Sequence, residues 1–290
     1  IKQSFSNFEL FQIFNKNNRI LLFLIENNFL HFDNSIVKYL DKSDSLIYFV
    51  EYFSKELRPF QQLIPIWYVG IETDDEKRKI GENDNEICRL IRKDLIEEFI
   101  IYVNKNDTNL KKKIEPSVYE TNSFLMLTDV TLIEYAAFFG SSQVFKYLYK
   151  NGVPLTPSLW NYAIHGNNPE LILILKEERV NAEYDLFEFS LREAIKCHHN
   201  GVANFICENL IDDKNFINYS DDYGYSDNLL FYSFHYYNYD YFPNKFTSKF
   251  TFYYACQFDH YEIVEILLKT TKFDINSEII PKKYANLIQF

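Results

Sequence analysis

Between residues 131 and 155 the apolar positions keep a helical beat. Leu132, Ile133, Ala136 and Ala137 come first, then Val144, Phe145 and Leu148, with Gly140 and Asn151-Gly152 as interruptions. Apolar residues at i, i+3 and i+4 mark one helix face, and glycine or Asn-Gly marks a helix end. Two helices joined by so few residues must pack antiparallel, and small alanines let their axes come close. The stretch is predicted to be a helical hairpin.

The pattern recurs. Ala136, Ala163, Ala194 and Ala255 hold equivalent places, at steps of 27, 31 and 61 residues. Eight, nine and twelve residues after these markers stand Val144, Phe145, Leu148; Leu171, Ile172, Leu175; Val202, Ala203, Ile206; and Ile263, Val264, Leu267. The last step is about twice the others. Leu230 to Tyr241, with Ser233 in the alanine's place, therefore reads as a degenerate copy. Self-similarity near 30 residues predicts an all-α solenoid of hairpins. Capping signals fall in the same register. Thr131-x-x-Glu134 and Ser190-x-x-Glu193 read as capping boxes, Asn168-Pro169-Glu170 as a cap before Pro, and Asp259-x-x-Glu262 as a similar start.

Upstream, Phe8, Phe11 and Phe14 and then Leu21, Leu22, Leu24 and Ile25 outline a helix pair turning through polar Asn15 to Arg19. Ile36 to Leu40 and Ser45 to Leu57 continue it, closed by Arg58-Pro59. The paired alanines are missing here, so residues 1–75 are expected to form an irregular N-terminal helical subdomain. Degenerate repeats are the alternative. Residues 72–86 are almost wholly polar and make the best boundary. The array then covers 82–290, with hairpins near 87–110, 131–155, 158–182, 190–212, 229–245 and 251–276.

Thr131-Leu-Ile-Glu-Tyr-Ala-Ala-Phe-Phe-Gly140, followed by Val144-Phe-Lys-Tyr-Leu148 and Asn151-Gly152, resembles one ankyrin repeat. Phe252-Tyr-Tyr-Ala-Cys-Gln-Phe-Asp-His260, running into Ile263-Val-Glu-Ile-Leu267 and Asp274-Ile-Asn276, is similarly close. With Gly81-Glu-Asn-Asp84, Glu115-Pro116 and Leu159-Trp-Asn-Tyr-Ala-Ile-His-Gly166, the string is similar to a lineage-expanded protist family of divergent ankyrin-repeat proteins that carries a domain of unknown function. The resemblance spans about residues 80–290 and implies a fold rather than an activity. No Thr-Pro-Leu-His string occurs, and the steps fall short of the family's usual period of about 33.

By analogy with ankyrin stacks, two places per repeat face the concave side: the residue before each marker and the one two after it. Here these are Tyr135, Phe138, Tyr162, His165, Glu193, Lys196, Tyr254 and Gln257. The expectation is a non-catalytic protein-binding face. For Tyr135, Tyr162 and Tyr254 an alternative stands beside it, that they wedge between hairpins as core.

Composition narrows the partners. A net charge of −11 leaves no basic footprint for nucleic acid or anionic membrane. The short runs Lys111–Lys113 and Lys77–Lys79 read as solvated loops. Phe and Tyr abundance (28 and 23) fits A+T-rich coding better than a binding signal. Ile20 to Ile25 is too short to span a bilayer. Four scattered cysteines suit free thiols in a reducing, intracellular setting, and a cytoplasmic protein is expected. The chain begins at Ile1 rather than Met, which leaves room for sequence upstream.

Candidate chemistry is sparse. Cys197, His198, His199 and Cys207 are zinc-ligand types, but without paired spacing they read as turn histidines and helix thiols. Glu97-Glu98, Glu177-Glu178 and Asp221-Asp222 are neighbours pointing to different sides of a helix, so they read as solvated faces. No phosphate loop, nucleophile elbow or His-Glu-x-x-His string is present. Hence no enzyme activity, cofactor or metal is expected. Self-association of a capping segment, through the aromatic stretch 223–242, is the alternative function.

Overall fold

In the computed structural model the described residues are 5–40, 46–63, 73–126, 129–181, 187–211, 225–241 and 249–270. They are mostly helical, and no β-strand occurs among them. None of their helices is long and apolar enough to cross a membrane. The chain divides into two compact units, 1–136 with 143–153, and 137–142 with 154–290.

The first unit opens with α1 (Asn7–Phe14), α2 (Asn18–Glu26), α3 (Asn34–Leu40), α4 (Leu46–Tyr52) and α5 (Ser54–Leu57). Ser6 and Glu9 close a capping box on α1, and Asn17 caps α2 by accepting from the Ile20 amide. Short helices are weak alone, so packing has to hold them. Phe11, Phe32, Phe49 and Phe53 meet edge-on or tilted, with centroids 4.6–6.5 Å apart, among Leu21, Ile36 and Val37.

Residues 75–80 correct the expectation of a solvated polar connection. They form α6 (Asp75–Ile80), and Arg78 is buried. Its guanidinium donates to Glu56 at 2.8 Å and Asp75 at 3.3 Å, and lies over the Tyr52 and Phe53 rings. The Tyr52 hydroxyl donates to the Arg78 carbonyl. Delocalised charge and a flat face let arginine stack on aromatics where lysine would remain in water.

Next come α7 (Glu86–Arg92), α8 (Ile96–Lys105), the one-turn α9 (Ser123–Met126), α10 (Leu132–Phe138) and α11 (Ser142–Lys150). Thr131 and Glu134 form the expected capping box. Asp94 joins the two hairpins by accepting from the Gln143 and Val144 amides at the start of α11. Phe99 and Tyr147 meet edge-on across the same seam.

The second unit holds α12 (Leu159–Gly166), α13 (Pro169–Glu177), α14 (Glu188–Lys196), α15 (Asn200–Asn209), α16 (Tyr225–His235), a 3₁₀ turn (Tyr239–Tyr241), α17 (Lys249–Gln257) and α18 (Tyr261–Thr270). The first helices of successive copies pack in order, α12 on α14, α14 on α16, and α16 on α17. Ala163, Ala194, Ser233 and Ala255, and Ala136 in the first unit, are all fully buried. Ser233 is buried on α16 as the alanines are on their helices; a 3₁₀ turn follows, and 242–248 lie outside the described residues.

A polar ladder runs beside the markers. Five residues after Ala163, Ala194, Ser233 and Ala255 stand Asn168, His199, Asn238 and His260. Each donates a side-chain N–H to a backbone carbonyl of the preceding copy: Gly140, Ile164, Ile195 and Phe234, at 2.7–3.0 Å. These bonds satisfy carbonyls freed where the first helices end.

Two predicted helix starts move. Ser190 and Glu193 lie inside α14, which opens at Glu188, so they are no capping box. Asp259 adopts φ +59°, and α18 opens two residues later. Phe187, just before α14, packs edge-on against Trp160, and His260, just before α18, bonds the Phe234 carbonyl, contacts that local capping chemistry does not encode.

Candidate functional site

A cluster of ionisable groups lies between α12 and α14. His165 stands on the last turn of α12, and Cys197 directly follows α14. Glu193 is four residues before Cys197 and so shares its helix face. The Cys197 Sγ lies 3.5 Å from His165 Nδ1. Glu193 Oε2 lies 3.6 Å from His165 Nε2, an ion-pairing distance. The Phe138 ring stacks on the imidazole, with centroids 5.0 Å apart and planes 27° from parallel. Lys196 Nζ donates to Glu193 at 3.1 Å, and Arg192 Nε approaches the same carboxylate at 4.0 Å.

Burial decides how these charges behave. The side chains of His165 and Glu193 are only 17% and 6% exposed, whereas Lys196 is about half exposed. Burial by itself would push the imidazole toward neutrality, but its contacts with Cys197 and Glu193 outweigh that and raise its pKa to about 9. Burial likewise opposes ionisation of Glu193, and His165 and Lys196 overcome it, so the carboxyl titrates below its ordinary range. At neutral pH the ring is an imidazolium. Nδ1 lies within hydrogen-bond reach of the Cys197 sulfur, and Nε2 faces the Glu193 carboxylate at ion-pair distance, too far for a hydrogen bond. The carboxyl ends of α12 and α14 add partial negative charge that favours this cation.

The expected surface residues divide by place. Tyr135, Tyr162 and Tyr254, each just before a marker, are buried, which corrects their assignment to an exposed face. The Tyr135 hydroxyl accepts from Arg92 Nη1, and burial pushes the phenol well above its usual range. Tyr254 packs on Phe231, Phe234 and Phe258. These helices carry little alanine, so a bulky ring has to fill the space between copies. Glu193 is buried too, but ion-paired. Two residues after the markers the outcome differs: Phe138 and His165 are half-buried, and Lys196 and Gln257 are exposed. Phe138, His165, Glu193 and Lys196 come together.

Comparison with family models, curated proteins and solved structures finds no match to this chain. Its chemistry therefore rests on its own residues.

The Cys197-His198-His199-Cys207 combination disperses. His198 meets the Tyr236 carbonyl, His199 the Ile164 carbonyl, and Cys197 the His165 ring. His165, Glu193 and Cys197 do offer three metal-ligand atoms, all within 4.8 Å of one another. However, thiol and carboxylate face opposite edges of the ring, and Lys196 and Arg192 crowd the carboxylate. This suits a relay of charge better than a chelate around one cation. Glu97, Glu98, Glu177 and Glu178 are exposed, as expected of solvated faces, while Asp221-Asp222 lies outside the described residues. The sequence held one unused signal: a polar side chain recurring five places after each marker. Nothing local linked His165 with Cys197, 32 residues away.

Proposed function

We propose that this chain is a non-catalytic protein-binding module, a divergent ankyrin-type stack that presents one side-chain row per repeat. The observation that carries the reading is the behaviour of the place two residues after each marker. Lys196, Gln257 and, in the degenerate copy, His235 are exposed and Phe138 and His165 half-buried, while of the places before the markers Tyr135, Tyr162, Glu193 and Tyr254 are buried and Tyr232 is half-buried. A row of aromatic, cationic and amide groups on rigid helix ends gives contact with little ordering cost on association. Net charge of −11 favours a protein partner over nucleic acid or an anionic membrane. None of the four cysteines is in a disulfide, which fits a reducing compartment.

The test is affinity purification from the native cell with mass spectrometry, comparing wild type with the F138A/K196E/Q257A variant. The variant is expected to lose some stability, since Lys196 pairs with the buried Glu193 and Phe138 packs on His165, but to stay folded by circular dichroism at the assay temperature and to lose at least about tenfold of its partner, the scale of truncating a small cluster of contact residues. Full retention of every partner would remove the row from the interface. A second reading, self-association, is favoured by Tyr237, Tyr239 and Tyr261, which are 46%, 60% and 69% exposed. A mass that rises with concentration in light scattering, and stops rising in the Y239S/Y261S variant, would establish it.

A further inference from the structure

We propose that the turns 237–241 and 258–262 form a docking surface for a cationic, arginine-rich segment of a partner protein. Tyr237, Tyr239 and Tyr261 are exposed on these turns. One exposed ring would need no explanation, but several in neighbouring turns mark a surface that meets something. Asp240, Asp259 and Glu262 stand beside them in the chain and are exposed as well. No lysine or arginine occurs from Tyr225 to Tyr241 or from Ala255 to Leu268, so the fixed charge of both turns is negative.

The two turns are tied to one another. The Tyr237 hydroxyl donates to the Phe258 carbonyl at 2.7 Å, and its ring lies against that of His260, with centroids 4.3 Å apart. Tyr239 meets the same imidazole edge-on at 6.0 Å. His260 itself is buried and donates to the Phe234 carbonyl at 2.8 Å, which fixes the second turn to α16. Rings held this way lose little freedom when a ligand arrives.

A cation is drawn to the face of a tyrosine ring, and nearby carboxylates add to that attraction. A guanidinium suits the surface best, because its flat face stacks on a ring while its edge donates to a carboxylate. The same tyrosines carry the self-association reading, and the carboxylates separate the two occupants. A second copy meeting this patch with its own would bring like charges together, whereas a cationic segment is complementary. The net charge of −11 acts in the same direction at longer range.

Fluorescein-labelled peptides of alternating Gly-Arg, Gly-Lys and Gly-Glu are titrated with the purified full chain and read by fluorescence anisotropy, at about 50 and 300 mM sodium chloride. The arginine peptide is expected to bind most tightly, the lysine peptide several-fold more weakly and the glutamate peptide not at all. Y239A/Y261A and D259N/E262Q are each expected to weaken the arginine peptide about tenfold, the scale of one or two cation–π or charge contacts. E177Q/E178Q, which removes the same charge at the exposed end of α13, is expected to change it less than about twofold. No binding of the arginine peptide at the lower salt overturns the proposal. Equal weakening by D259N/E262Q and E177Q/E178Q overturns it too, because it marks diffuse charge. So does Y239A/Y261A that is folded by circular dichroism and binds like wild type; if that variant unfolds, the two carboxylate variants decide. A dimer that Y239S/Y261S dissolves and the arginine peptide leaves intact gives the surface to a second copy instead. None of these variants touches Phe138, Lys196 or Gln257, so the outcome is separate from the part that row plays in binding.

Discussion

His165 carries the clearest energetic consequence at the scale of single residues. Its folded pKa of about 9 lies above the ordinary imidazole value of about 6.5, so folding takes up a proton between them. The stabilisation is complete below pH 6.5 and is lost as pH rises through 9, in total on the order of 3 kcal/mol. Urea unfolding at pH 6 and pH 9.5 is expected to show wild type losing an amount of that order, with H165Q losing much less. Equal losses in both proteins would detach the ring from the stability of the fold. That this histidine meets Glu193 and Cys197 was not legible in the chain, because the separations set no recognisable ligand spacing. The marker alanines were legible. Each is small for a reason local sequence can express, the close approach of two helix axes.

Gly166, ending α12, lies close against the turn after α10. A Cβ on Gly166 would come 2.1 Å from the Ala137 carbonyl oxygen and 2.8 Å from the Gly140 amide nitrogen. Both are backbone atoms, and neither can rotate away. G166A would gain up to about 1 kcal/mol of helix propensity. It is nevertheless expected to be destabilised by about 1–3 kcal/mol, because the end of α12 must move away from the 137–140 turn. A lower urea midpoint with an unchanged slope is the expected readout; a stabilised G166A would contradict this packing. Gly140, at φ +66°, was readable as a helix breaker. Its second role, opposing Gly166, depends on the neighbouring copy. The misplaced Ser190 cap has the same origin: Glu193, which looked like a capping acid, is committed to His165 and Lys196.

Across the second unit each copy leans on its neighbours through buried markers and ladder bonds, so stability is expected to vary along it rather than be uniform. Helix α18 has Leu267 as its one fully buried residue and leaves Ile266 and Leu268 about half exposed, whereas α12 to α15 bury several residues each. Hydrogen exchange is expected to protect α12 and α14 most and α18 least. Equal protection in all of them would mean one cooperative block. Helix placement was readable because a buried stripe repeats every few residues and survives in any environment. Which polar groups meet was not, since that depends on how one hairpin's turn sets the height of the next. Periodicity along the chain thus dictated hairpins and small-residue contacts. Contacts across some 30 residues drew tyrosines inward and joined Cys197, His165 and Glu193.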